Sequence, residues 1–189
     1  MSTQASLTDL AFQWRHPVTR ELYDKMVEHG ALEDARVELL AGVLVDMSPQ
    51  GRRHAEAIEW LTTELTLALA RRASVRVQLP LAVSDLSVPE PDLAIVAAGP
   101  RPDHPVQAHL VIEVSETSQA KDRTLKARLY AAAGIPEYWL CDLTTRTIEV
   151  HRDPAPEGYR DIQPRAVGAT VAPLTFPDIV LAVADMLPA

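Results

Sequence analysis

Two acidic residues occur at short apolar segments of the sequence, where carboxylates are uncommon. Asp92 opens the segment DLAIV, and Glu113 lies within LVIEV. Because side chains alternate between the faces of a strand, two such carboxylates on neighbouring strands can share one cation. Oxygen ligands of this kind favour Mg²⁺ or Mn²⁺, which indicates metal-assisted hydrolysis of a phosphodiester. The alternative is structural: Asp92 closes a turn, and Glu113 pairs with an arginine at the edge of the sheet.

A helical segment after Glu113 carries three polar residues at helical spacing. Asp122, Lys126 and Tyr130 are four residues apart, which places them on one face of the helix. A helix that follows the strand of Glu113 can bring Lys126 back over the carboxylates, where its ammonium would orient water and offset phosphate charge. The alternative is a solvated face, since an Asp–Lys pair at this spacing contributes only about 0.3–0.5 kcal/mol.

Five further residues are weaker candidates for the same site. Glu38, in a predicted strand, is either a third carboxylate or an edge-strand acid. Gln78 is either a contact to the site or substrate or an exposed strand residue, and His54 either caps a helix or contacts substrate. Arg52 and Arg53 at the start of that helix can meet backbone phosphate, as can any surface arginine pair.

The elements that must position these residues alternate between strands and two main helices, which predicts an α/β or α+β fold. In the second main helix, Leu125, Leu129 and Ala132 are predicted to face inward, and Gly134 to end the helix. The predicted elements are a helix over 18–30, a hairpin over 36–47 that turns at Ala41 and Gly42, a helix over 54–71, strands over 75–83, 92–97 and 109–114, a helix over 119–133, strands over 138–141, 147–151 and 158–162, and a strand and short helix within FPDIVLAVADML.

Length and composition limit the class of protein. A chain of 189 residues with 47% hydrophobic content can form one domain, expected over 1–189. The single cysteine, Cys141, excludes an internal disulfide and a cysteine-based zinc framework. Apolar runs are far shorter than the roughly 20 residues of a membrane helix, and the first 17 residues do not read as a signal peptide. A cytoplasmic protein without membrane association is therefore expected.

The charge balance bears on the nature of the substrate. The net charge of −8 opposes a protein that holds DNA constitutively by neutralising phosphates with basic side chains. It does not oppose a metal-dependent nuclease, because such an enzyme needs clustered carboxylates and brings its own cation to the phosphate. The basic residues are 15 Arg and 3 Lys, and two of the lysines, Lys121 and Lys126, lie in the helix after Glu113.

Taken together, these motifs resemble the Uma-two family of the PD-(D/E)XK restriction-endonuclease-like superfamily. The resemblance covers most of the chain, from VELLAGVLVDMSP and GRRH through VQLPLAV, PEPDLAIV and LVIEVSETS to DRTLKARLY, AGIPEYWLCDL and FPDIVLAVADML. It implies a restriction-endonuclease-like central mixed β-sheet flanked by helices, with an N-terminal helical and hairpin extension. It also implies a divalent-metal site at one edge.

The family pattern can be carried over residue by residue. In the superfamily an Asp follows a Pro, and a Glu and a Lys stand two residues apart on the next strand. Asp92 and Glu113 match, whereas Ser115 stands where the lysine is expected. In similar proteins the lysine comes from the succeeding helix, which matches Lys126, with Lys121 as the second choice. The implied ligands of Mg²⁺ or Mn²⁺ are Asp92, Glu113, the backbone carbonyl of Val114 and, as an accessory acid, Glu38.

The implied function is a Mg²⁺-dependent nuclease acting on DNA, in which Lys126 positions water or helps to deprotonate it. Two alternatives stay open: a nuclease-fold protein without turnover that serves as a binding or assembly module, and a metal phosphodiesterase acting on RNA or nucleotides. Ser115 and the acidic total charge favour the first alternative. A homodimer is expected by analogy, because two sites related by a two-fold axis can cut both strands of a duplex.

Overall fold

A computed structural model describes residues 15–100 and 103–188, so the predictions made for the first 14 residues lie outside the described residues. Helices and strands alternate along the chain, which confirms the α/β class. The elements are α1 (Arg20–Glu28), β1 (Val37–Leu40), β2 (Val43–Asp46), α2 (Arg52–Leu69), β3 (Ala73–Val77), β4 (Leu93–Ala97), β5 (Leu110–Ser115), α3 (Gln119–Lys121), a π-helical turn (Asp122–Lys126), α4 (Ala127–Ala132), β6 (Glu137–Asp142), β7 (Thr147–Ala155), β8 (Gly158–Ala166), β9 (Thr170–Val171), β10 (Leu181–Ala182) and α5 (Val183–Met186).

The central sheet has six strands in the order β3-β4-β5-β6-β7-β8. Strands β5 and β6 are parallel, and every other neighbouring pair in this sheet is antiparallel. A parallel pair needs a long crossover connection, which α3, the π-helical turn and α4 provide. The mixed sheet therefore places this helical segment directly after the end of β5, close to the candidate residues.

Helices cover both faces of the sheet, and strand alternation decides which side chains meet them. Leu110, Ile112 and Val114 of β5 join the core under α2, whereas Val111 joins the core under α4. Glu113 follows the alternation of Val111 and so faces α4, as predicted from the sequence. None of the helices in the described parts of the chain has the length and apolar character needed to span a membrane.

The turn between β1 and β2 confirms the predicted hairpin. Ala41 and Gly42 both have positive φ, 49° and 76°, which is typical of a type I′ turn. The Gly42 N–H donates to the Leu86 carbonyl at 2.7 Å, and the Gly42 carbonyl accepts from Val18 at 3.0 Å. A Cβ at position 42 would lie 2.6 Å from Cβ of Pro17, so the close approach of the N-terminal segment requires glycine there.

We expect Gly42→Ala to lower the free energy of unfolding by at least about 1 kcal/mol, because the left-handed backbone and the contact with Pro17 both oppose a side chain. Ala41→Gly is the matched control, since glycine relieves the positive φ of Ala41 and is expected to be neutral or stabilising. Urea denaturation of both variants measures the difference. Equal stability of the two variants would contradict the turn geometry.

Several element boundaries differ from the predictions. The strand predicted over 75–83 ends at Val77, because Gln78 adopts φ 49° and turns the chain away from the sheet. Helix α2 begins at Arg52 and ends at Leu69, where Ala70 takes a left-handed conformation. Strands β7 and β8 are longer than predicted, because they pair as one hairpin in which β7 continues to Ala155 and β8 begins at Gly158.

The predicted inward face of the helix after β5 is wrong. Leu125 and Ala132 are exposed and Leu129 is half-buried, whereas Asp122 and Lys126 are buried. Asp122 and Lys126 stand at the two ends of the π-helical turn, and residues four apart stay on nearly the same side of the helix. The polar face therefore turns toward the sheet, where carboxylates of β1 and β5 provide partners for it.

His151 gives the fold a pH-dependent contribution to stability. His151, on β7, packs its ring edge-on against the rings of Tyr138 and Tyr159, with centroid distances of 5.1 and 5.7 Å. Burial lowers the pKa of His151, although a hydrogen bond from the ring to Glu149 opposes this. A histidine in an unfolded chain has a pKa of about 6.5. When the pKa is lower in the folded state, the neutral side chain contributes stability above pH 6.5, and this contribution is lost as the pH falls through the pKa of the folded state.

We therefore expect the free energy of unfolding of the wild type to fall more steeply below pH 6.5 than that of His151→Gln, which cannot take up the proton. Denaturant titrations of both proteins over this pH range measure the two slopes. Identical slopes would show that His151 is not held neutral in the folded protein.

Candidate active site between β4, β5 and the crossover helix

Asp92 directly precedes β4 and is held by groups from β5, from α2 and from the residue after β3. Its Oδ2 accepts the backbone N–H of Val114 at 2.8 Å and Nε2–H of His54 at 3.1 Å. Its Oδ1 has a longer contact of 3.5 Å with Nε2 of Gln78, whose own backbone continues the β3–β4 pairing. Asp92 as a whole is only 8% exposed, so these contacts hold its carboxylate in a buried position.

The carboxylate of Glu113, on β5, is contacted by two residues of the helical segment between β5 and β6. Its Oε1 accepts from Nζ of Lys126 at 2.9 Å and from the hydroxyl of Tyr130 at 2.8 Å. Burial raises the pKa of Glu113 to about 8; Lys126 opposes this rise, and nearby Asp92 and Glu38 add to it. A carboxyl group with a raised pKa in a cleft is typical of functional sites.

Lys126 bridges two buried carboxylates. Its Nζ lies 2.9 Å from Oε1 of Glu113 and 3.0 Å from Oε2 of Glu38. Burial alone would lower the pKa of Lys126, but the charges of Glu113 and Glu38 outweigh burial and raise it above its usual value. The side chain therefore stays an ammonium at neutral pH, which favours orienting water over taking a proton from it.

Glu38 is contacted by both lysines of the helical segment. Its Oε1 accepts from Lys121 at 3.0 Å, and its Oε2 also accepts the backbone N–H of Glu90 at 3.2 Å. Lys121 donates in addition to the Asp46 carbonyl at 3.3 Å. Lys126 contacts Glu113 directly, whereas the contacts of Lys121 are with Glu38 and Asp46, so the geometry favours Lys126 as the lysine of the site.

Ser115 takes part in a hydroxyl and carboxylate network beside the site. Its Oγ lies 3.2 Å from Oγ of Ser118, and the Ser118 hydroxyl donates to the carboxylate of Asp122. Burial raises the pKa of Asp122, while Lys126 and the Ser118 hydrogen bond lower it. Position 115, where the family resemblance leads us to expect a lysine, is thus occupied by a hydroxyl that contacts Ser118 just before α3.

The four residues predicted to contact substrate have different positions in the structure. His54 and Gln78 reach the site through Asp92. Burial would lower the pKa of His54, but the hydrogen bond and charge of Asp92 raise it overall. Arg53 is tethered to Glu116 at 3.2 Å and also donates to the carbonyls of Leu143 and Pro188, while Arg52 is exposed at the first position of α2. The guanidinium of Arg53 is therefore engaged in contacts within the fold.

A cavity of about 50 Å³ brings these side chains together. Among the described residues, five acidic and three basic side chains line it, together with His54. Six of the lining residues were not predicted from the sequence. These are Arg36, Met47, Ser48, Gln50, Glu90 and Ser118.

The donor set suits a divalent cation. In Asp92 and in Glu113, one carboxylate oxygen carries the short hydrogen bonds, which leaves Oδ1 of Asp92 and Oε2 of Glu113 for a cation. Together with the Val114 carbonyl, these are hard oxygen ligands, and one divalent charge would offset the excess of acids. Within residues 15–100 and 103–188, however, no group of three or more His, Cys, Asp or Glu side chains is already arranged to hold a metal.

Comparison with known proteins agrees with the predicted family. In the set of curated proteins nothing matches this chain. Among solved structures, the chain is similar to a protein described as a "putative nuclease belonging to DUF820" from Anabaena variabilis ATCC 29413, with 18% identity, a TM-score of 0.67, and coverage of 79% of this chain and 88% of that chain. At this identity the likeness shows a shared fold.

The family itself is shown by a match over most of the sequence. The model of the Uma2 family, described as "Putative restriction endonuclease", matches residues 21–184. This range contains Glu38, Asp92, Glu113 and Lys126, and it runs from α1 to α5. The chain therefore belongs to the Uma2 family of restriction-endonuclease-like proteins.

Proposed function

We propose that this protein is a divalent-metal-dependent nuclease that hydrolyses phosphodiester bonds in DNA. The observation that carries the proposal is the convergence of Asp92, Glu113 and Lys126 on one cavity, from two neighbouring strands and the helical segment between β5 and β6. Membership in a family described as restriction endonucleases supports nucleic acid as the substrate.

The ligands of Mg²⁺ or Mn²⁺ in this proposal are Asp92, Glu113 and the backbone carbonyl of Val114, with Glu38 as an accessory acid. Bound there, the cation would polarise the scissile phosphate and stabilise the charge that develops in the transition state. His54 and the Val114 N–H hold Asp92 in place, because both donate to the same carboxylate oxygen. A carboxylate fixed in this way loses little conformational freedom on binding a cation.

Lys126 acts on the water and the phosphate in this proposal. Its ammonium has three donors, two of which are used by Glu38 and Glu113. The remaining donor can hold a water molecule for in-line attack, while the positive charge offsets charge on the phosphoryl oxygens. The raised pKa of Lys126 keeps it charged in this role.

Access for the scissile phosphate is provided by a second cavity of about 270 Å³ beside the first. The two cavities share five lining residues, so a group in the larger cavity faces the carboxylates in the smaller one. The shared residues are Ser48, Gln50, His54, Val114 and Ser118.

Calorimetric titration of Mn²⁺ into the wild type and Asp92→Asn, followed by plasmid nicking with the same samples, tests the proposal. Asparagine keeps an oxygen for the Val114 N–H but removes the charge, so the variant is expected to fold and to lose both metal binding and nicking. Asp153→Asn is the control, because Asp153 is 60% exposed on β7. A wild type that binds no Mn²⁺ and nicks no single-stranded, duplex or branched DNA would refute the proposal.

A second candidate function is a nuclease-fold module that binds DNA or protein without cleaving it. It is favoured by one observation, the Lys126 ammonium that already bridges Glu38 and Glu113 as a cation supplied by the chain. DNA binding that persists without Mn²⁺ binding in the same titration would favour this function. Nicking or hydrolysis of RNA or nucleotides, but not of DNA, would instead identify a phosphodiesterase with another substrate.

A further inference from the structure

We propose that Arg36 binds a backbone phosphate of the substrate at the mouth of the site, an inference that rests on the proposed function. Arg36 directly precedes β1, and its backbone carbonyl accepts the N–H of Met47 at 2.8 Å, which fixes it at the open end of the hairpin. Its side chain is exposed and lines the same cavity as Glu38, Asp92 and Glu113. It therefore lies between solvent and the acidic interior.

Arg36 differs from the other cations of this cavity in its partners. Lys126 is held by Glu38 and Glu113, and Lys121 is held by Glu38 and the Asp46 carbonyl. Within residues 15–100 and 103–188, by contrast, no carboxylate lies within 4.0 Å of the Arg36 guanidinium, and no acceptor is hydrogen-bonded to it. Its charge and donors are thus available to an incoming anion.

The chemistry of a guanidinium fits a phosphodiester. Two parallel N–H groups can donate to two phosphate oxygens, an arrangement stronger and more directional than that of an ammonium. Such a contact reads the backbone and not the bases, so it would position any DNA sequence over the carboxylates. Lys126 lies deeper in the site, only 4% exposed, which leaves Arg36 to meet phosphates that stay at the surface.

One competing role for Arg36 lies within the protein. Glu90 lines the same cavity, and its pKa is raised by burial and by Glu38 and lowered by Lys126 and Arg36. Arg36 could therefore serve to balance the charge of Glu90. The two roles differ in salt dependence, since only a phosphate contact releases counterions from DNA.

The test measures binding of a labelled DNA duplex by fluorescence anisotropy in EDTA, where metal-dependent cleavage cannot occur. We expect Arg36→Ala of the full chain to bind about tenfold more weakly and to lower the slope of log K against log salt by about 0.9. Arg36→Lys is expected to keep the slope but not the full affinity. Arg160→Ala is the matched control, since Arg160 is 69% exposed on β8, three strands from β5.

The possible outcomes separate this inference from the proposed function. Equal affinity and slope for Arg36→Ala and Arg160→Ala, with normal nicking by the wild type, would overturn only the role of Arg36. An effect of Arg36→Ala that disappears in a Glu90→Gln background would assign Arg36 to Glu90 and overturn the phosphate contact. A wild type that neither binds nor nicks DNA would overturn both proposals.

Discussion

Replacing Glu113 with glutamine is expected to lower DNA nicking by about 10³-fold while the free energy of unfolding stays within about 1 kcal/mol of the wild type. Glutamine keeps the shape of the side chain and an oxygen that can accept from Lys126 and Tyr130. Burial raises the pKa of Glu113, so its surroundings disfavour the charge and tolerate a neutral amide. The amide cannot offer the second carboxylate oxygen or the negative charge.

Plasmid nicking in Mn²⁺ and urea denaturation of the same preparation measure the two effects. Glu157→Gln, at a side chain that is 89% exposed, is the control for loss of one carboxylate. Wild-type nicking by Glu113→Gln would show that this residue does not hold the cation. A loss of several kcal/mol in stability would instead attribute the missing activity to unfolding.

Replacing Lys126 with methionine is expected to lower the free energy of unfolding by about 3–5 kcal/mol in the absence of metal. The variant keeps most of the apolar stem but leaves two carboxylates without their shared cation, and Glu38 and Glu113 are only 1% and 4% exposed. A divalent cation can replace part of the missing charge, so Mn²⁺ is expected to stabilise the variant more than the wild type. Thermal and urea denaturation with and without Mn²⁺ measure both effects.

Two further variants show whether the loss comes from the buried charges. Lys25→Met removes a lysine that is 58% exposed, and its effect is expected to stay within about 0.5 kcal/mol. Adding Glu38→Gln to Lys126→Met is expected to recover part of the lost stability, because it removes one of the two buried charges. A Lys126→Met protein as stable as the wild type would contradict the bridging role.

The strand part of the site could be predicted from the sequence because it depends on a local rule. Alternation places Glu113 with Val111 on the face that α4 covers, and the structure has this arrangement. Asp92, directly before β4, is contacted instead by His54 of α2. The turn at Ala41 and Gly42 could also be predicted, since glycine between two apolar strands indicates a hairpin. The family resemblance supplied Lys126, which the spacing of polar residues alone left open.

The helical part could not be predicted correctly because its orientation depends on distant partners. A hydrophobic pattern assigns leucines to the core and charges to solvent, yet Leu125 is exposed and Lys126 is buried. The reversal follows from Glu38 and Glu113, whose carboxylates need a cation that only the polar face provides. Arg36 was missed for a similar reason, since the packing of the hairpin and not its local sequence brings it to the cavity.

The π-helical turn is a place where the helical segment can lose one residue without changing the site. Lys126 ends the turn and Tyr130 follows it in α4, yet both contact the same oxygen of Glu113. A π-helical turn holds one residue more than an α-helical turn, so deleting one residue inside it would restore regular winding while Lys126 and Tyr130 keep their places opposite Glu113. Homologues that lack one residue in this turn should therefore present the same pair of side chains to the acid, whereas a deletion between Lys126 and Tyr130 would rotate the residues after it by about 100° and separate the pair.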